Sequence, residues 1–358
     1  LAALLEREVG SAAGLAAEAG SLGELRLAEA LGFEAARRHL NGNGRSPEEA
    51  AWVAERGVHS VNADHLDELD LLEQAAARAG ASVRVALRVN PAIEIGGHPY
   101  VATGGEEAKF GVAPAQALAA WSARDRWPHL RLDGLHLHVG SQLLGDESLR
   151  RCVEFAFEMA AATSKRGAPL GFVNLGGGFG VDYSGGAEFP LEAYARWLVE
   201  RARGSGLEWI VEPGRWLTAP MGVLVAEVLA VKEREGQRFI VLAAGMNDLL
   251  RPALYGAAHR ILPLAARPGA RTPATVVGPV CESADVFERE APWPPVAAGD
   301  TVAILDAGAY GAAMASNYNG RGRLAELVAS GGILTRARAG EGAEALLARR
   351  RSDVLEPG

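Results

Sequence analysis

Two cysteines in 358 residues, Cys152 and Cys281, are too few for a disulfide framework, which points to a reducing, cytoplasmic setting. Positive charge is also short. The formal net charge is −8, and a nucleic-acid surface needs clustered Lys and Arg to neutralise phosphate. No apolar run reaches membrane-spanning length; the most apolar stretch, Met221 to Val231, is interrupted by Glu227 and reads as a buried strand. No secretory leader and no tandem repeat is read from the chain. Lysine is almost as scarce as cysteine, with only Lys109, Lys165 and Lys232. What remains is 49% hydrophobic and 22% charged, enough to bury a full core and to fill two domains.

Apolar, β-branched runs recur at His59 to Asn62, Val83 to Val89, Leu132 to Val139, Phe172 to Leu175 and Trp209 to Val211. Between them lie Ala- and Leu-rich stretches with charges at helical spacing: Leu66 to Ala79, Pro114 to Arg126, Glu147 to Arg166 and Pro190 to Arg203. Pro114 and Pro190 suit the first turn of a helix. Strand–helix alternation on this scale implies parallel strands, and a TIM-like (β/α)8 barrel is the expected form. Past residue 220 the pattern changes to short strand-like runs at Gly222 to Val231, Phe239 to Ala243, Ala274 to Val277 and Thr301 to Leu305. The expected organisation is therefore a barrel over 1–220 and a mainly antiparallel β domain over 221–358, ending in a charged helix from Arg338 to Arg351.

Polar clusters fall where these strands end. Val280-Cys281-Glu282-Ser283-Ala284-Asp285 sets a thiol beside a carboxylate after the Gly278-Pro279 turn, which suits a proton donor better than a core filler. Leu175-Gly176-Gly177-Gly178-Phe179-Gly180 follows a strand, and its glycines let backbone N–H groups approach a phosphate. Ser141 adds a hydroxyl and Gly214 another amide, so three strand ends carry phosphate-suited groups. His136 and His138 alternate along one strand and share a face. His136 reads as a barrel-interior residue, and His138 as a flat ring able to stack on a ligand. A third ligand at metal-binding spacing is lacking, so no metal is expected. Glu212, in Val211-Glu212-Pro213-Gly214-Arg215, needs a cationic partner: Arg215, or the protonated ring nitrogen of a cofactor.

Taken with Asp306-Ala307-Gly308-Ala309-Tyr310-Gly311, Asp248 to Gly256 (including Arg251-Pro252-Ala253-Leu254-Tyr255) and Ser316 to Gly320, these motifs resemble, in order, one family. It is the barrel-type, pyridoxal-phosphate-dependent decarboxylases of basic amino acids. The resemblance runs from Gly20-Ser21-Leu22-Gly23-Glu24-Leu25 through the C-terminal strand and is nearest to the branch acting on meso-diaminopimelate.

The resemblance implies a homodimeric, cytoplasmic enzyme that uses pyridoxal 5'-phosphate and releases carbon dioxide from an amino acid, with no membrane or nucleic-acid partner. His138 would stack on the cofactor ring, and Glu212 would face its nitrogen. Ser141, Gly177, Gly178, Gly214 and Tyr310 would hold the phosphate. Cys281 would come across the dimer interface as the proton donor. Arg215, Arg251, Tyr255 and Glu282 would grip the far end of the substrate, arginines for its carboxylate and glutamate for its ammonium.

One departure stands out. The family's cofactor-binding lysine lies in a Tyr-Ala-x-Lys-Ala-Asn segment, and none of the three lysines has that context. The expectation is that the first strand and its lysine precede Leu1, because a barrel without that strand would leave an unpaired edge. Glu18 also stands where the family carries Asp. Rival readings are a decarboxylase of another carboxylate-bearing amino acid, a racemase using the same cofactor, and an inactive regulatory relative.

Overall fold

The computed structural model describes residues 14–93, 109–186, 188–265 and 267–351. The chain divides into two compact units. The first runs to Gly180 and takes in Phe189–Pro213; the second comprises Val181–Glu188 and the chain from Gly214 onward. The division thus falls at Pro213, a few residues before the expected 220, and a short excursion before it packs with the second unit.

The first unit is a seven-stranded parallel sheet in sequence order: β1 Ala17–Ala19, β2 Arg38–Leu40, β3 Ser60–Ala63, β4 Val83–Arg88, β5 Leu130–His136, β6 Phe172–Asn174 and β7 Glu208–Ile210. A helix connects each pair: α1 Leu22–Ala30, α2 Pro47–Arg56, α3 Asp67–Ala79, α4 Pro114–Ser122, α5 Glu147–Lys165 and α6 Leu191–Ala202. This is the expected α/β barrel architecture. Local sequence explains the helix ends. Ser46 caps α2 by accepting from the Glu49 amide while Glu49 accepts in return from the Ser46 amide, and Pro47 takes the first helical position. Gly80 ends α3 in the left-handed region. Helix α5 turns Leu149, Cys152, Val153, Ala156, Met159 and Thr163 inward, a stripe at helical spacing. Burial in that stripe pushes the Cys152 thiol up to about 12, so it packs as an inert apolar group. Strands β2 to β6 are buried almost throughout, as expected of parallel strands covered on both faces.

The second unit holds a six-stranded sheet built from β8 Leu224–Arg234, β9 Gln237–Leu242, β10 Ile261–Pro263, β11 Thr272–Val277, β12 Val286–Trp293 and β13 Thr301–Ile304. Its order is β10-β13-β8-β9-β11-β12, and all pairs except β9–β11 are antiparallel. Val228, Ile240, Leu242, Val276, Val302 and Ile304 form its core, with Phe287 and Trp293. A separate hairpin joins β14 Glu326–Ser330 to β15 Ile333–Arg338. Two short helices, α7 Gly214–Thr218 and α8 Arg251–Tyr255, carry polar residues considered below.

Two expectations are corrected. The stretch from Met221 to Val231 is not a buried strand: β8 alternates, with Ala226 and Val228 inside and Val225 and Leu229 exposed. A one-sided antiparallel sheet buries every second residue, and a tally of apolar letters does not reveal that period. The charged C-terminal helix begins at Ala343 rather than Arg338, because Arg338 closes β15 and its guanidinium pairs with Glu326 across the hairpin at 2.9 Å.

Candidate active site

In the first unit, every strand places a polar group at or just beyond its C-terminal end, where parallel α/β folds gather their chemistry. Glu212 lies two residues past β7, with its side chain 11% exposed. Its Oε1 accepts from Asn174 Nδ2 at 2.8 Å and Asn41 Nδ2 at 3.1 Å, while His136 Nε2 stands 3.6 Å away. All three contacts fall on Oε1; among the described residues, no side-chain donor reaches Oε2. Burial alone would raise this carboxyl, but the adjacent His136 and the Asn174 donor outweigh it and hold the group ionised, below the usual carboxylate range.

Asn41 is oriented in turn. Its Oδ1 accepts from Asn62 Nδ2 at 2.6 Å, and its amide group also donates to Glu18 Oε1 at 2.7 Å. Glu18 therefore shares one amide with Glu212. Desolvation and the nearby Glu212 charge raise the Glu18 carboxyl, so the two acids are driven apart in proton affinity.

His138 sits beside this carboxylate, on the face it shares with His136. The Gly177 N–H donates to its Nδ1 at 3.1 Å. Burial, with the Arg88 charge next, lowers His138 to about 4, so the ring is neutral near pH 7. The glycine turn is tight by necessity. A Cβ on Gly176 would lie 2.6 Å from His138 Nδ1, and one on Gly177 would lie 2.3 Å from the Glu212 carbonyl oxygen. Only glycine tolerates such backbone approach. The loop bearing Ser141 runs alongside: the Leu143 amide donates to the Gly178 carbonyl at 2.9 Å, and the Gly180 amide donates back to Leu143 at 2.8 Å. His138, Ser141, Gly177, Gly178 and Glu212 are thus close together.

The second unit carries the remaining expected residues. Arg215 lies on α7, which Gly214 opens, and Arg251 opens α8; they are 9% and 4% exposed. The Arg215 guanidinium lies 4.7 Å from the Tyr310 ring centroid and donates through Nη1 to the Tyr183 hydroxyl at 3.2 Å. The Arg251 guanidinium stacks 4.0 Å from the Tyr183 ring centroid and donates through Nη1 to His259 Nε2 at 2.8 Å. Its Nε has no hydrogen-bond partner, and no carboxylate pairs with it among the described residues. Tyr255 follows one helical turn along α8. Cys281 and Glu282 are exposed on a turn held from behind by Asp285, whose oxygens accept from the Met246 amide at 2.7 Å and the Val280 amide at 2.8 Å. The turn does not join the arginine cluster through any described ion pair or hydrogen bond.

Several residues of these clusters were not anticipated. Asn41, Asn62, Arg88, Asn174, Tyr183 and His259 all have polar partners in them, and His136, buried as expected of an interior residue, stands 3.6 Å from Glu212. Asn174 left a signal: a fully buried amide inside the apolar run Phe172-Val173-Asn174-Leu175 demands a partner. Lys109 lies 5.0 Å from the Phe110 ring centroid, and Lys165 and Lys232 are exposed at the end of α5 and on β8.

Comparison with known proteins agrees with this architecture. Residues 8–219 match the model of the pyridoxal-dependent decarboxylase, pyridoxal binding domain. The chain is 39% identical over 321 residues to diaminopimelate decarboxylase of Zymomonas mobilis, covering 89% of this chain and 76% of that protein. It is 33% identical to diaminopimelate decarboxylase of Aquifex aeolicus, covering 89% and 76%. Diaminopimelate decarboxylase from Helicobacter pylori, solved with L-lysine, superposes with a TM-score of 0.92 at 34% identity, over 99% of this chain and 87% of that one. Among the described residues, no helix is long and apolar enough to cross a membrane.

Proposed function

The chain belongs to the pyridoxal-dependent decarboxylase family, and from that premise we propose that it converts meso-diaminopimelate to L-lysine and carbon dioxide as a cytoplasmic homodimer. The residues fit the cofactor. Glu212 is an ionised acid whose Oε2 is left open for a ring N–H, and Gly177 and Gly178 lie on a turn too tight for side chains, with the Gly177 amide already donated to His138 Nδ1. His138 supplies a neutral flat ring beside them.

Pyridoxal 5'-phosphate, when bound, supplies the electron sink that accepts the pair left by departing carbon dioxide. Glu212 would keep the cofactor's ring nitrogen protonated, and His138 would lie against the ring. Ser141, Gly177, Gly178, Gly214 and Tyr310 hold the phosphate. Cys281 Sγ, supplied by the partner protomer, would give its proton to the carbon that has lost carbon dioxide. Arg215 and Arg251 take the distal carboxylate of the substrate, Glu282 its distal ammonium, and Tyr255 completes that end.

The observation that carries the substrate choice is Arg251: a guanidinium 4% exposed, held by a neutral imidazole and an aromatic face, with no acid against it among the described residues. A buried cation so placed favours an incoming carboxylate. The test is carbon dioxide release from meso-diaminopimelate, ornithine, arginine and lysine, with L-lysine identified as product from the first. Release from ornithine without release from meso-diaminopimelate overturns the assignment of Arg215 and Arg251. Failure with every amino acid, in protein that binds the cofactor, favours the inactive regulatory reading.

A further inference from the structure

Arg215 and Arg251 meet at a single side chain. Tyr183, 6% exposed, offers its ring face to Arg251 and its hydroxyl to Arg215. His259, 5% exposed, packs edge-to-face on the same ring at 4.8 Å and 61°. Its Nδ1 lies 2.9 Å from the Leu305 carbonyl oxygen, which only accepts, so the ring proton sits on Nδ1. That leaves the Nε2 lone pair to accept from Arg251 Nη1 at 2.8 Å. Asp306 is the acid whose charge is felt at His259, and its Oδ2 is engaged by Arg260 Nη2 at 3.2 Å.

Buried arginines are ordinarily held by acids, which orient them and cancel their charge together. Here orientation and charge are separated. A neutral imidazole and a phenol fix Arg251 without neutralising it. We infer that His259 and Tyr183 are positioning residues: together they hold the Arg251 guanidinium oriented but uncancelled, Tyr183 also orients Arg215 through its hydroxyl, and so they set the preference for ligands with a distal carboxylate. The inference rests on the proposed function and deepens it. His259 and Tyr183 touch neither the cofactor nor the reacting carbon in this scheme; they act through the arginines.

The test compares equilibrium binding of L-lysine, which keeps the distal carboxylate, with that of cadaverine, which lacks it, to the pyridoxal-phosphate-loaded protein. His259→Glu supplies an acid to Arg251 and should raise the dissociation constant of L-lysine at least about tenfold, while moving that of cadaverine less than about twofold. His259→Gln keeps a neutral acceptor and should hold L-lysine affinity within about threefold of wild type. Tyr183→Phe keeps the ring face, removes the acceptor for Arg215, and should weaken L-lysine by roughly threefold to tenfold. With meso-diaminopimelate, the Glu variant should raise KM more than it lowers kcat, as lost uniform binding does. If His259→Glu leaves L-lysine binding unchanged, or weakens cadaverine equally, the inference is wrong while the proposed function stands. If wild-type protein binds the cofactor but not L-lysine, the proposed function fails and takes the inference with it.

Discussion

The Gly177 amide donates to His138 Nδ1 at 3.1 Å, joining the glycine turn after β6 to the histidine after β5. That bond fills the Nδ1 lone pair and fixes the ring proton on Nε2. It also forbids a side chain on the turn, since a Cβ at Gly177 would meet the Glu212 carbonyl oxygen at 2.3 Å. Because the obstacle is backbone, Gly177→Ala must move one strand end or the other. We expect a stability loss of roughly 1–3 kcal/mol by urea unfolding, with a larger proportional loss of pyridoxal phosphate affinity in a titration. Affinity equal to wild type would separate the turn from the cofactor.

Glu212→Gln removes the charge while leaving a carbonyl oxygen for Asn41 and Asn174. The fold should hold. Decarboxylation, however, needs the ring nitrogen kept protonated, and an amide cannot compel that. A fall in kcat of roughly 100-fold is expected, with melting temperature nearly unchanged. Steady-state kinetics beside a thermal melt will check both halves of this statement.

The contrast between these residues shows what the sequence made legible. Glycines, a Cys–Glu turn and the acid before Pro213 stand out as letters, because each sits at a strand end and breaks the apolar pattern around it. The strand–helix alternation from β3 onward likewise announced the parallel sheet, with the ends of α3 to α6 found to within a few residues, whereas β1, α1, β2 and α2 were not anticipated. Tyr183 and His259 gave no such sign. They are separated by dozens of positions and have meaning only through Arg251, which lies against both. Asn41 was hidden in the same way: in Asn41-Gly42-Asn43-Gly44 it reads as a turn residue, and only the fold brings it to Glu212. The exposed face of β8 was misjudged for another reason, because composition reports how apolar a strand is and not which side is covered.

Four histidines are shifted in one direction. Burial lowers His39 and His138 from 6.5 to about 4, and also lowers His59 and His259. A group whose folded affinity for protons lies below its unfolded value is protonated first in the unfolded chain, so stability falls as pH drops from about 6.5 toward 4. Asp248 and Asp285, whose carboxyls burial raises, act in the opposite sense. His39→Asn isolates the histidine contribution, since an amide can still meet Ser60 Oγ. The slope of unfolding free energy between pH 6.5 and 4.5 should flatten in that variant by up to about 1.4 kcal/mol per pH unit. An unchanged slope would mean that His39 titrates normally in the folded protein.

Cys281 and Asp285 share a turn but should fail differently when changed. Cys281 is exposed, so Cys281→Ala removes a thiol without opening a cavity; we expect a drop of roughly 100-fold or more in turnover with cofactor affinity and melting temperature nearly intact. Asp285 is 3% exposed and holds two backbone amides from two loops. Asp285→Ala would leave the Met246 and Val280 amides without their acceptor and should cost about 2 kcal/mol or more of stability. Turnover should fall too, since the turn that presents Cys281 is no longer tied to the loop preceding Arg251. Asp285→Asn retains one acceptor oxygen and should recover part of the stability. Equal losses of stability in the Cys281 and Asp285 variants would contradict a division of labour between a thiol that reacts and a carboxylate that holds its turn in place.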